Sequence, residues 1–285
     1  MIPHVEVDTL YVGSFAVQPF GLLVLTAGVV GWNLMMHRAR TVGLDIREFR
    51  AACTWAVVFG AIFSHVLDEV FYRPEDIARN PLSLLYLWDG LSSVGGFVGA
   101  ILGGLAWRSI GFEARGFFSV PFFRATPMPM LPPADVVVPC FTISWIFGRA
   151  GCSIVHDHVS NRVALGTPFA VAFPAPGELP AHVWGPIKVT FGTAPRYDLG
   201  LFELAFTLVL SLALILTWRR ALAVGTRVAV VCLAYAPVRF AMDFLRDTDG
   251  DLGDRRHAAL TFAQWSSVAM FVFGLSLVVR IRARR

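Results

Sequence analysis

The stretch AALTFAQWSSVAMFVFGLSLVV, residues 258–279, contains no charged side chain. Its length exceeds the roughly 18 apolar residues that a helix needs to cross a hydrocarbon layer. GLSSVGGFVGAILGGLAW, residues 90–107, reads the same way, and further apolar runs occupy 13–36, 51–70, 136–155, 199–218 and 228–245. Apolar residues make up 56% of the 285-residue chain and charged residues only 15%, against about a quarter charged in ordinary soluble domains. So large an apolar surplus cannot be hidden in one water-soluble core. The sequence therefore predicts an all-α polytopic integral membrane protein, a single transmembrane domain over 1–285 with about seven transmembrane helices.

Seven spans put the termini on opposite sides. The connections 37–50, 108–134 and 219–227 together with the C-terminal tail carry 14 arginines, whereas the connections on the other side carry eight Arg and Lys residues. Basic residues favour the cytoplasmic side, so the C-terminus is expected in the cytoplasm and the N-terminus outside. The N-terminus has no basic region, and His4, Glu6 and Asp8 precede the first apolar run, so no cleavable signal peptide is expected. The longest non-spanning piece, 156–198, is broken by prolines and glycines and carries Phe169, Phe173 and Trp184. It is expected to form a small extracytoplasmic head over the mouth of any cavity between the helices. The short apolar piece 82–87 is expected to make an interfacial or re-entrant turn. Cys53, Cys140, Cys152 and Cys232 lie in or beside apolar runs, which disfavours a disulfide framework. No Lys/Arg-rich run interleaved with aromatics is present, so nucleic acid is not an expected partner.

Arg149 and Arg239 interrupt runs that otherwise read as membrane helices. An intramembrane arginine costs several kcal/mol unless it snorkels or meets an anion, so it marks a polar cavity. Its planar guanidinium grips a phosphate at two points. Around Arg149 the small residues Gly148, Gly151 and Cys152 would let a backbone or a lipid headgroup approach closely. The structural alternative pairs Arg239 with Asp243, one turn later. An anion transporter would use the same chemistry, although the chain shows none of the internal repeats many transporters carry.

Five segments, in order, carry a family resemblance. DVVVP (135–139) through GRAG (148–151) resembles the fourth-helix signature of prolipoprotein diacylglyceryl transferases. NPL (80–82), Trp88 and GLSSVGG (90–96) resemble that family's Gly-Met-Ser-Phe-His-Gly-Gly region. LFE (201–203) resembles its Gln-Leu-Tyr-Glu, RFAMDFLR (239–246) its Arg-Phe-x-x-Glu-Phe-x-Arg, and Leu260, Thr261, Gln264 and Ser267 its closing helix. The resemblance implies a multi-pass protein of the bacterial inner membrane that moves diacylglyceryl from phosphatidylglycerol, or another anionic phospholipid, to the lipobox cysteine of a prolipoprotein, releasing glycerol phosphate. It also implies that Arg149 and Arg239 hold the phosphate. Glu203, Asp243 and Arg246 would support them, and Gly95, Gly96, Gly148, Gly151 and Cys152 would line the site.

Departures fall at Phe20, Ile62, Val94, Cys152 and Asp157, where the family has Tyr, Arg, His, Asn and Glu. The cations survive and the usual base does not. A fold-retaining lipid-binding protein with altered or lost catalysis is thus the alternative. His65, His156 and His158 are the candidate replacement bases, with Asp157 between the last two. An unperturbed imidazole titrates near pH ~6.5, which suits the role. Ligand spacings for a metal are lacking, and no cofactor is expected. The alternating carboxylates of 247–254 break the EF-hand rule and read as a solvated acidic turn.

Overall fold

The computed structural model describes residues 1–86, 90–115, 118–246 and 256–284. Trp88, the end of the short apolar piece at Leu87 and the acidic stretch 247–254 lie outside the described residues. The long helices are α1 (Pro19–Thr41), α2 (Ile46–Tyr72), α4 (Ser93–Ser109), α5 (Leu131–Val155), α6 (Leu199–Leu216), α7 (Thr226–Met242) and α8 (Phe262–Ala283); a short α3 (Pro74–Arg79) and a 3-10 turn (Pro81–Leu85) follow α2. Among the described residues, six helices are long and apolar enough to cross a membrane, counting α7 with its terminal turn. The remaining long helix, α4, has 17 residues and lies along α2.

Local chemistry sets the helix starts. The first apolar run was expected from 13, but the helix begins at Pro19, which suits the first helical position. Gly13, at φ 64°, instead turns a hairpin of β2 (Leu10–Val12) and β3 (Phe15–Val17). The run that opens at 258 becomes helical only at Phe262, because Thr261 caps the helix in a reciprocal box with Gln264. Asp45 caps α2, Ser92 caps α4 and Asp198 caps α6. Side chains such as Leu25, Val29, Val57, Val209, Leu212, Val272 and Val279 point outward and are exposed. A helix surface that greasy is stable only against lipid.

Helix α4 packs on α2, α1 on α5, α5 on α6, and α7 on α8. On α4, a Cβ added at Gly95, Gly99 or Gly103 would overlap the backbone carbonyls of Phe63, Phe59 and Trp55, so α2 and α4 touch backbone to backbone. Asp135 fixes α7 from a distance: its buried carboxylate accepts the N–H groups of Gly225, at 2.7 Å, and Val228, at 3.1 Å.

The all-α expectation is too narrow for the rest of the chain. A six-stranded sheet gathers β6 (Val159–Arg162), β7 (Val171–Ala172), β8 (His182–Trp184), β9 (Ile187–Thr190) and β10 (Arg196–Asp198) around the N-terminal β1 (Ile2–Val7), in the order β6-β10-β7-β1-β9-β8. β1 runs parallel to β7 and antiparallel to β9, with His4 opposite Thr190. The strands are two to six residues long, too short for a period-two pattern to announce them. Between α4 and α5 a further hairpin, β4 (Ile110–Arg115) with β5 (Phe118–Phe123), exposes Phe112, Phe122 and Phe123. Strands β11 (Arg256–His257) and β12 (Leu260–Thr261) pair just before α8.

Candidate functional site

Arg149 lies near the end of α5, Arg239 near the end of α7 and Glu203 near the start of α6. At ~1.5 Å rise per residue these positions are roughly 5–9 Å from the helix ends. All three side chains therefore reach one layer beneath the six-stranded sheet. Arg149 Nε is 3.0 Å from Glu203 Oε1, and Arg239 Nη1 is 3.8 Å from Glu203 Oε2. Arg239 Nη2 also lies 3.4 Å from Asp243 Oδ1. The two arginines thus share one carboxylate, and with Asp243 the cluster balances two positive charges against two negative ones.

The arginines are not equivalent. Arg149 is held on three sides: by Glu203, by the Trp145 ring 4.8 Å below its guanidinium, and by Cys152 Sγ, 3.6 Å from Nη1. Its side chain is 5% exposed, against 13% for Arg239. Arg239 is the looser of the two and the more open to a further partner. The Tyr235 hydroxyl donates to Glu203, and the Thr261 hydroxyl donates to Asp243. Gln264, in the first turn of α8, donates to the carbonyl of Phe240. The sequence reading missed Tyr235 and Trp145, yet a signal was present: each sits one turn before an arginine, the spacing at which helical side chains meet.

Small residues shape the walls. A Cβ at Gly151 would crowd the ring of Phe20, so this glycine admits α1 to the site, while Gly148 lies against Trp145. Gly95 and Gly96 face α2 at Phe63, Ser64 and Gly60. Their neighbour Phe97 nonetheless reaches Phe141 and Trp145 of α5, so α4 stands one aromatic layer from Arg149. Arg246 forms an isolated backbone bridge with Ser160, tying the end of α7 to β6.

The three candidate histidines are used differently. His65 is buried, with Nδ1 3.2 Å from the Gly90 carbonyl and Nε2 2.9 Å from that of Ser83. It thus joins α2 to the 3-10 turn and to the start of the segment before α4 rather than joining the arginines. His156, in a left-handed conformation at φ 51°, ends α5. Its Nδ1 is 2.6 Å from Asp198 Oδ2 and its Nε2 3.0 Å from the carbonyl of Val5, and its ring stacks on His4. His158 Nδ1 lies 2.6 Å from Asp157 Oδ1. The Cys152 thiol and the charge of Arg149 also act on the Asp157 carboxyl. Burial pushes the Asp157 carboxyl up, but His158, Cys152 and Arg149 together outweigh it and hold it below the usual carboxylate range. Contacts thus run from Glu203 through Arg149 to Cys152, and the Asp157–His158 pair is coupled to them electrostatically. Among the described residues no group of three or more metal-ligating side chains comes together.

Beside these contacts an open cleft of about 550 Å³ is lined by His4, Glu6, Asp8, Ile154, His156 and Phe173 among others. Burial, then the charge of His156, lowers the His4 imidazole below its ordinary value, with Glu6 and Asp198 opposing.

Fold and site together define a multi-pass membrane protein with a buried, charge-balanced pair of arginines beneath a small sheet. A family profile described as prolipoprotein diacylglyceryl transferase matches residues 8–280, and the chain belongs to that family. It is similar to the phosphatidylglycerol–prolipoprotein diacylglyceryl transferase of Paramagnetospirillum magneticum, 28% identical over 282 residues, covering 97% of this chain and 93% of that protein. Those of Bordetella bronchiseptica, at 26% (96% of this chain, 95% of that protein), and Agrobacterium fabrum, at 24% (99% and 94%), are similar over nearly the whole length as well.

Proposed function

We propose that the protein transfers the diacylglyceryl group of phosphatidylglycerol, or of a closely related anionic phospholipid, to the lipobox cysteine thiol of a prolipoprotein, releasing glycerol phosphate. The observation that carries this reading is the meeting of Arg149 and Arg239 from two helices on one carboxylate. Glu203 marks where an anion sits between them, and a lipid phosphate entering from the Arg239 side would take up the charge that Glu203 shares. Two guanidinium groups aimed at the departing phosphate stabilise the charge that develops as the carbon–oxygen bond breaks. Asp243 and Arg246 support this clamp, and the residues around Cys152 form its wall.

In the same reading α4 is a seventh span, short because it is laid tightly on α2. The sheet, residues 156–198 joined by β1, then faces the extracytoplasmic side and the 14 tail and loop arginines the cytoplasm, in a bacterial inner membrane. The decisive experiment incubates the purified protein in phosphatidylglycerol vesicles with a lipobox-cysteine peptide and follows label from the glyceryl moiety. Transfer of label to the peptide is expected, and its absence overturns the transferase reading. One observation favours lipid binding without turnover: Val94 and Phe20 stand where the family resemblance places a His and a Tyr. In that case vesicle lipid stabilises the protein but no label moves.

A further inference from the structure

We infer that His158, oriented by Asp157, is the general base that takes the proton of the acceptor thiol. This rests on the transferase reading above and names the group that reading leaves open. Of the three candidate histidines, His65 is enclosed with both ring nitrogens on backbone carbonyls, and His156 has one nitrogen on Asp198 and the other on Val5. Neither ring has a nitrogen left for a substrate. His158 approaches a carboxylate through Nδ1 alone, 2.6 Å from Asp157 Oδ1, and its side chain is one-fifth exposed. A carboxylate this close to Nδ1 favours the proton there and the lone pair on Nε2, the arrangement a base requires.

Position agrees with chemistry. The backbone carbonyl of His158 accepts the N–H of Leu199 at 2.8 Å, which pins it to the first turn of α6. Glu203, one turn further on, holds Arg149. On the other side Cys152 lies 3.6 Å from Arg149, and both act on the Asp157 carboxyl. Base and phosphate clamp are therefore built on the same helix ends. In the reaction the S–H proton passes to Nε2 and the sulfur forms a bond to the glyceryl carbon. The carbon–oxygen bond to phosphate breaks, and its electron pair leaves with glycerol phosphate on the two arginines. The imidazolium then returns its proton to water. The charged and titratable groups that act on the Asp157 carboxyl are His158, Cys152 and Arg149.

The test uses the full chain in phosphatidylglycerol vesicles with the lipobox-cysteine peptide. His158→Ala and His158→Gln should lower kcat at neutral pH about a hundredfold or more, within the usual worth of a general base, while phosphatidylglycerol binding is unchanged. Two further readings separate a base from a structural residue. Added imidazole should restore part of the activity of His158→Ala, and the deficit of both variants should shrink as pH rises toward ~8.5, where the peptide thiol ionises unaided. The Gln variant keeps an amide that can donate to Asp157, so folding and proton transfer are tested apart. If the parent transfers label and both variants keep its rate, or lose it with no imidazole rescue and no closing at high pH, the inference falls and the transferase reading stands. If the parent transfers no label, the transferase reading falls and carries the inference with it.

Discussion

Two of the seams between the helices are made of opposite materials. Between α2 and α4 the contact is a glycine stripe, Gly95, Gly99 and Gly103, laid on the carbonyls of Phe63, Phe59 and Trp55. Between α5, α6 and α7 it is a set of buried charges, Arg149, Glu203, Arg239 and Asp243, with Tyr235 donating into them. In lipid the first seam gains from close approach of backbones, where tails cannot compete. The second gains only while each charge keeps its partner, because an unpaired buried ion is expensive. A sealed seam fixes geometry. A charged one can exchange a partner, so the two differ most in what a ligand can do to them.

The largest effect should come from Glu203→Gln, which leaves two buried arginines with Asp243 alone. Breaking such a pair costs about 3–5 kcal/mol, read as a fall in stability of the detergent-solubilised protein. The comparison is sharpened by adding lipid. If the arginines are a phosphate site, phosphatidylglycerol at ~100 times its Kd should return roughly 2.7 kcal/mol, because the phosphate supplies the missing anion. No lipid effect on the variant would leave the cluster as a structural ion pair.

Gly99→Leu attacks the other seam. Its side chain overlaps the Phe59 backbone, and overpacking of this kind costs about 1–3 kcal/mol, occasionally more. Here phosphatidylglycerol should stabilise variant and parent by the same increment, since no charge is left unpaired. Different increments would show that the seams are coupled and that the contrast drawn between them fails.

A smaller effect, on affinity rather than folding, is expected at Arg239, the more open arginine. Arg239→Gln removes a charge-assisted contact worth ~1.5–3 kcal/mol, a loss of roughly ten- to a hundredfold in phosphatidylglycerol binding. Arg239→Lys should recover only part of it, lacking the planar fork. Unchanged binding in a folded Gln variant would remove Arg239 from the lipid site.

The charged seam was the more legible of the two in the sequence. Arg149 and Arg239 break apolar runs, and a charge in such a run demands a partner that can be sought by helical spacing: Asp243 was found that way, and Tyr235 and Trp145 obey the same rule. Glu203 came only through resemblance, because nothing in a helix start says which arginine it will meet. Gly95, Gly99 and Gly103 stand at i, i+4 and i+8, but small residues do not name the surface they lie on. Least legible was the sheet. Its strands are short, and it is completed by residues 2–7, more than 150 positions away from their neighbours in β7 and β9. No local pattern encodes that pairing.

The sheet is fastened to the charged seam by the stack of His4 on His156, which in turn holds Asp198, the cap of α6. This joint offers the smallest and most selective test. His4 is buried, and its imidazole is pushed below the ordinary value of ~6.5 by burial first and then by the charge of His156. The unfolded chain therefore takes up a proton on His4 as pH falls below ~6.5, while the folded chain does not until a lower pH. In that window the unfolded state binds more protons, so stability must fall with pH, and the fall ends once the folded group is protonated as well. Asp157 behaves differently. Its folded value lies below the usual carboxylate range, so its contribution is present above that range and is lost only in stronger acid. The two losses are thus separated along the pH axis. His4→Phe keeps an aromatic ring against His156 and Phe173 and removes the titration. Thermal melting of parent and variant between pH 7 and pH 5 should give a sloping midpoint for the parent and a flatter one for the variant, with the same response of both to phosphatidylglycerol. If the variant keeps the parent's slope, the proton uptake belongs to another group, and the head is joined to the site by packing alone.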